Sequence, residues 1–144
     1  MSGSSKEHII KSYDDELSRL TGEIVRMGEL SVSQLEAAID VVERRDELAA
    51  QHVVLNDDAI DQLEQEISHD VVRLLALRAP IAGDLRNVFA ALRIAADIER
   101  IGDHATNIAE SVWFQVTGEP LTKQRSKRDF TSAPELPKLG DRPD

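Results

Sequence analysis

The chain has no cysteine among its 144 residues, which excludes disulfide bonds and any metal site built from thiolates. Aromatic residues are also scarce, with one tryptophan, one tyrosine and three phenylalanines. No apolar run approaches the roughly 18 residues that a membrane-spanning helix needs. The stretch from Met1 to Ile10 lacks the apolar segment of a secretory signal peptide. The composition therefore predicts a small globular domain with an aliphatic core.

Basic residues are fewer than acidic ones: the chain has 17 lysines and arginines and 27 aspartates and glutamates, which give a net charge of −10. This balance argues against nucleic acid as the main partner and against electrostatic docking to anionic lipid. Walker loops, nucleophile elbows and zincin motifs are absent from the sequence. A carboxylate-bridged di-metal enzyme is the alternative, because Glu66 and His69 have the Glu-x-x-His spacing of di-iron bundles. That spacing occurs once, so we do not expect an enzyme.

Three apolar stripes at helical spacing predict an all-α, antiparallel three-helix bundle of long helices. The predicted helices cover about residues 9–44, the stretch between Asp46 and Pro80, and about 80–116. We expect residues 1–12 to be a flexible N-terminus, 13–117 to form the bundle, and 118–144 to be a Pro-rich extended tail. The stripe of the first helix comprises Tyr13, Leu17, Leu20, Ile24, Met27, Ala38 and Val42, and that of the second comprises Val53, Ile60, Leu63, Ile67, Val71 and Leu74.

Two pairs of acids stand out because each places like charges four residues apart on one helical face. Glu99 and Asp103 form one pair, and Asp57 and Asp61 form the other. Like charges at this spacing repel unless a cation lies between them. If the helices on either side of Pro80 are antiparallel, Asp61 lies level with Glu99, and Asp57 with Asp103. Each matched pair is equidistant from the proline, so the four carboxylates could form one oxygen-rich metal site.

A solvated acidic face is the alternative interpretation of these four residues. If they bind metal, carboxylates without cysteine favour hard cations such as iron, manganese, magnesium or calcium. Glu64 and Asn107 lie one turn away and are candidate outer ligands, although a surface role is open to each. A row of arginines on the third helix, Arg86, Arg93 and Arg100, could bind an anion or a partner. Ion pairing along the helix, for instance between Arg93 and Asp97, is the other possibility for this row.

The segments that carry these acids resemble the signature of the PhoU family of phosphate-signalling proteins. The strongest resemblance runs from Asp84 through Leu92-Arg93-Ile94 to Glu99-Arg100-Ile101-Gly102-Asp103-His104 and Glu110, and Asp58 to Glu64 resembles a second family motif. The resemblance implies three-helix bundles with paired acidic motifs that bind metal clusters. By this resemblance the metal is expected to be iron, with manganese, zinc or magnesium as alternatives, held by Asp57, Asp61, Glu99 and Asp103.

The resemblance also implies a role and partners. Family members are negative regulators of phosphate uptake and of phosphate-starvation signalling, and they contact the phosphate transporter's ATPase subunit and the sensor histidine kinase. A cytoplasmic location, with the membrane reached only through partners, is implied as well. Family members usually have two such repeats, whereas this sequence resembles one, so residues 118–144 could be the start of a second. We therefore expect a homo-oligomer, with a homodimer as its simplest form. A metal-free helical interaction module is the alternative function.

Overall fold

The computed structural model describes the backbone of residues 2–78 and 82–121, and the side chains of residues 13–77 and 83–121. Three α-helices occupy these segments: α1 (Ser2–Arg44), α2 (Glu47–Arg78) and α3 (Ala82–Thr117). Each helix packs against the other two, and the described segments contain no strand. Short connections make α1 and α3 parallel to each other and antiparallel to α2. The predicted all-α three-helix bundle is confirmed.

The turn between α1 and α2 is defined by two adjacent residues. Arg45 adopts a left-handed conformation with φ of 54°, and its N–H donates to the carbonyl of Val41 at 2.8 Å. This left-handed residue ends α1. Asp46 then caps α2, because its Oδ1 accepts the N–H groups of Leu48 at 3.0 Å and Ala49 at 3.3 Å. The predicted break near residue 45 is therefore present.

The other end of the described chain reverses direction after α3. Gly118 has φ of 75°, and its N–H donates to the carbonyl of Phe114 at 2.8 Å. Glycine carries no Cβ penalty in this conformation, so it ends the helix as predicted. Leu121 is then buried against the bundle. Leu121 thus packs on the domain although residues 118–120 are exposed, and the rest of the predicted tail, 122–144, lies outside the described residues.

The N-terminal segment differs from the sequence prediction. Helix α1 begins at Ser2, so residues 2–12 are helical where a flexible N-terminus was expected, while Met1 lies outside the described residues. The residues from Lys6 to Lys11 include no proline or glycine that would stop a helix, and each added turn supplies backbone hydrogen bonds. The expected boundary was based on the polar character of these residues, which does not by itself prevent a helix.

The interior consists of two apolar clusters stacked along the bundle axis. The first includes Leu20, Met27, Ile67 and Val88, and the second includes Val41, Val54, Ala105, Ala109 and Leu121. All six stripe residues of α2 are buried, as predicted. In α1 the stripe prediction is wrong at Val42, which is 50% exposed, while Val41 is buried. The core residue after Ala38 is Val41, three positions later, because a helical face alternates between steps of three and four.

A layer of polar residues separates the two clusters. Ser31 and Gln34 of α1, Asp57 of α2 and Thr106 of α3 are all buried at this level. The side-chain amide of Gln34 donates to the carbonyl of Val53, and the Thr106 hydroxyl donates to the carbonyl of Gly102. The middle of the bundle is therefore a polar environment inside an otherwise aliphatic domain.

Candidate metal centre

Five acidic side chains meet beside this polar layer, between α2 and α3. One carboxylate oxygen from each of Asp57, Asp61 and Asp103 lies within 4.8 Å of the other two. Asp61, Glu64 and Glu99 form a second group with the same spacing. These five residues are referred to below as the acid centre. Asp61 belongs to both groups, so the two triads share one corner.

Helical geometry explains why these acids converge. Asp57, Asp61 and Glu64 follow one another at steps of four and three on α2, and therefore share a face. Glu99 and Asp103 share a face of α3 in the same way. The antiparallel crossing brings the two faces together, at the levels given by counting from Pro80. The structure thus brings together all four residues predicted as metal ligands, and adds Glu64, for which the sequence also left open a surface role.

Burial is graded across the acid centre. Asp57 is the innermost residue, with 3% of its surface exposed. Asp61, Glu64 and Glu99 are partly buried, and Asp103 is exposed. A small ion could therefore reach the carboxylates from the Asp103 side without rearrangement of the core. The inner end is closed by the packed helices.

Gly102 allows α3 to approach α2 closely at this point. A Cβ atom at this position would lie 3.1 Å from Cδ1 of Ile60 and 3.4 Å from Oδ1 of Asp57. The first distance is shorter than an ordinary van der Waals contact, and Ile60 is buried in the core. Sequence reasoning missed this residue as part of the site. The available signal was its position in the middle of a long helix, one residue before Asp103. Glycine weakens a helix interior, so its presence there indicates a close contact that a larger side chain would prevent.

The surroundings of Glu99 disfavour its charged form. Burial, a hydrogen bond shared with Glu64 and the negative charges of Glu64, Asp61 and Asp57 together raise the pKa of Glu99 from 4.5 to about 7. Each of these effects favours the protonated form, and the charged neighbours that act on Glu99 are all acids. Near neutral pH the acid centre therefore holds a proton that a bound cation could replace.

The remaining predicted residues are all exposed. Asn107 is exposed and lines an open groove between α1 and α3, and its role as an outer ligand stays a prediction. Arg86, Arg93 and Arg100 are all exposed on α3. Arg100 forms an ion pair with Asp97, with 3.7 Å between Nη1 and Oδ1. Glu66 and His69, the residues of the alternative di-metal motif, are exposed on α2 and belong to neither triad.

An all-α three-helix bundle with a carboxylate cluster between two antiparallel helices is the class of protein that this fold and site define. The family model described as the PhoU domain matches residues 24–112. This range contains the whole acid centre. The chain belongs to the PhoU family.

Curated relatives agree with this assignment. A phosphate-specific transport system accessory protein PhoU homolog of Xylella fastidiosa is 61% identical over 128 residues, which cover 89% of this chain and 54% of the relative. The homolog of Caulobacter vibrioides is 43% identical over 116 residues, covering 81% of this chain and 50% of the relative. The chain thus spans about half the length of these relatives. No solved structure matches it.

The names of these relatives describe accessory proteins of transport and no enzyme. Among the helices that the structure describes, none combines the length and the apolar character needed to cross a membrane.

Proposed function

We propose that this chain is a metal-binding regulator of phosphate transport whose acid centre holds the metal. The observation that carries the proposal is the pair of carboxylate triads that share Asp61. Carboxylates can bridge two cations, so two adjacent ions could share this residue. A donor set of five carboxylates suits hard, oxygen-seeking ions such as iron or manganese. Burial and the repulsion between neighbouring acids together raise the pKa of Glu99, and bound cations would offset that repulsion.

The site is suited to a structural and regulatory metal. The ligands come from two helices, so a bound ion would tie α2 to α3 across the polar layer. Because an ion that binds only the folded state stabilises it, the fold would become more stable as the metal concentration rises. Asp57 anchors the inner end and Asp103 faces solvent, so exchange of the ion with solution would not require unfolding.

Metal analysis and thermal melts test this proposal. We expect protein purified without chelator to contain iron or manganese in stoichiometric amounts. A metal at about one hundred times its dissociation constant should stabilise the fold by ~2.7 kcal/mol, which is a rise of roughly 10 °C in Tm for a domain of this size. Asp61→Asn should remove the metal and the rise together, because it takes a ligand from both triads.

The same substitution, Asp61→Asn, should stabilise the metal-free protein. Without metal, Asp61→Asn relieves repulsion and should raise Tm slightly. Glu66→Gln is the matched control, since it removes an exposed acid from the same helix outside the acid centre, and it should change neither melt. If wild-type Tm is the same with and without iron, manganese and zinc, and no metal copurifies, the metal-free interaction module is the correct function.

We also propose that the chain contacts the phosphate transporter's ATPase subunit and the sensor histidine kinase, and acts as a negative regulator in the cytoplasm. The names of the relatives, which place them with a phosphate-specific transport system, support this. Tagged chain should retain the ATPase subunit and the kinase in copurification under high-phosphate conditions. Retention of neither protein, from cells that express both, would remove this part of the proposal while leaving the metal site to its own test.

A further inference from the structure

The bundle face between α1 and α3 carries two rows of aliphatic residues that are largely exposed, apart from Ile108, which packs against the second apolar cluster. On α1 the row is Val25, Val32 and Ile39, which are 54%, 50% and 57% exposed. On α3 the row is Ile94, Ile101 and Ile108, of which the first two are 51% and 38% exposed and the third is partly buried. Both rows repeat every seven residues, so each keeps nearly one direction along its helix.

The two rows lie at matching levels on the same face. Gly28 lies opposite Ile98, since a Cβ on the glycine would be 3.6 Å from Ile98 Cδ1, and Val42 and Val112 line the same groove. Both pairs are separated by seventy residues in the sequence. Because α1 and α3 are parallel, each α1 residue is level with the residue seventy positions later. Val32 therefore lies level with residue 102, beside Ile101, and the two rows line one continuous groove.

Charged rims of opposite sign flank this groove. Glu29, Glu36 and Glu43 are exposed on α1 and repeat every seven residues, on the outer side of the valine row. Arg86, Arg93 and Arg100 are exposed with the same spacing on the outer side of the isoleucine row. One edge of the face is therefore acidic and the other carries the three arginines, with Asp97 beside them in an ion pair with Arg100.

This charge pattern is self-complementary for one arrangement of two copies. If a two-fold axis runs parallel to the helices, α1 of one copy packs on α3 of the other, and the acidic rim meets the basic rim. Glu29 is then within one residue of the level of Arg100 of the second copy. If the axis runs across the helices, α1 packs on α1 and acid meets acid. Opposite rims attract and like rims repel, so the charges select the first arrangement.

We propose that the α1–α3 face is the interface of a parallel, two-fold homodimer in which α1 of each copy packs against α3 of the other. The aliphatic rows form the buried centre and the charged rims form its edges. This interface lies on a different face from the acid centre and does not depend on bound metal. It goes beyond the proposed metal-dependent function, and its test can be done in the presence of chelator.

Light scattering of the full chain tests association. We expect a mass of twice 16.0 kDa at micromolar concentration. Ile101→Asp places a charge in the buried centre and should weaken the dimer by roughly tenfold or more. Val72→Asp is the matched control, because Val72 is an aliphatic on α2 with 66% of its surface exposed, and it should leave the mass unchanged. Circular dichroism of each variant shows whether the bundle has folded.

Charge exchange and cross-linking test the arrangement. Glu29→Arg and Arg100→Glu should each weaken the dimer, and the double variant should restore it. Since the chain has no cysteine, Val32→Cys and Ile101→Cys can be made as separate chains and mixed under oxidation. A disulfide should form between the two different chains, whose facing Cα atoms would lie within bonding reach, and not within either preparation alone. A monomeric wild type, or a Val32→Cys chain that links efficiently to itself, would overturn the proposal.

Discussion

Replacement of Gly102 by alanine tests how tightly α3 packs on α2 at the acid centre. In an ordinary helical position this change stabilises a protein by about 1 kcal/mol, because alanine is the better helix former. At Gly102 the new methyl group would stand 3.1 Å from Ile60 Cδ1 and 3.4 Å from Asp57 Oδ1. Ile60 is 1% exposed, so it has little room to move away. Overpacking of this kind costs about 1–3 kcal/mol.

The two effects oppose each other, and their sum gives the expected magnitude. We expect Gly102→Ala to lower the free energy of unfolding by up to ~2 kcal/mol, after the propensity gain has been subtracted from the packing cost. The displaced helix would also carry Asp103 away from Asp57 and Asp61. The rise in Tm on adding iron or manganese should therefore be smaller in this variant than in wild type.

Two other glycines provide graded controls for the assay. A Cβ at Gly22 would meet nothing within 4 Å, and one at Gly28 would make an ordinary 3.6 Å contact with Ile98. Gly22→Ala should stabilise by about 1 kcal/mol, and Gly28→Ala should be neutral or slightly stabilising. Denaturant unfolding followed by circular dichroism measures all three variants. If Gly102→Ala stabilises as much as Gly22→Ala and leaves the metal response unchanged, the close helix contact is wrong.

Three further predictions concern the helix ends and the titration of the acid centre. Arg45→Gly should raise the free energy of unfolding by about 1 kcal/mol in a denaturant melt, because glycine adopts the left-handed conformation without a Cβ penalty. Leu121→Ala should lower it by about 2 kcal/mol or more, whereas an extended tail would give no change. In chelator, the raised pKa of Glu99 contributes stability that is complete below pH 4.5 and is lost as pH rises through about 7. Glu99→Gln should flatten this decline in Tm, and an unchanged pH profile would contradict it.

Much of the fold was predictable because its main signals are local. The stripe of α2 required only helical periodicity, and Asp46 and Gly118 are residue types that favour helix caps. Val42 was assigned to the core wrongly because its neighbour Val41 is also aliphatic. A helical wheel cannot show which of two adjacent valines is buried without the positions of the other helices. Leu121 was missed for a related reason. A single apolar residue after a helix carries no periodic signal, and its burial depends on a surface that only the folded bundle provides.

The arrangement of the acid centre was predictable from one additional assumption. Once α2 and α3 are antiparallel about Pro80, the matched levels of Asp61 and Glu99 follow by counting. Rotation of each helix about its own axis is not given by counting, so the place of Glu64 in the second triad required the structure. The arginine row shows the converse case. Its heptad spacing was evident in the sequence, but its place across a groove from the acidic row of α1 emerged only from the relative placement of α1 and α3.

The polar layer in the middle of the bundle also has a consequence for axial alignment. Helices lined with aliphatic residues can slide past one another by one heptad, about 10 Å, and still bury apolar side chains. Here such a slip would move Gln34 away from the Val53 carbonyl and place Asp57 against aliphatic neighbours, whereas Thr106 would keep its bond to Gly102 of the same helix. Each buried polar group left without a partner costs about 1–3 kcal/mol, whereas the aliphatic contacts would be largely replaced. The polar layer thus makes one axial register of the three helices more stable than its heptad-shifted alternatives.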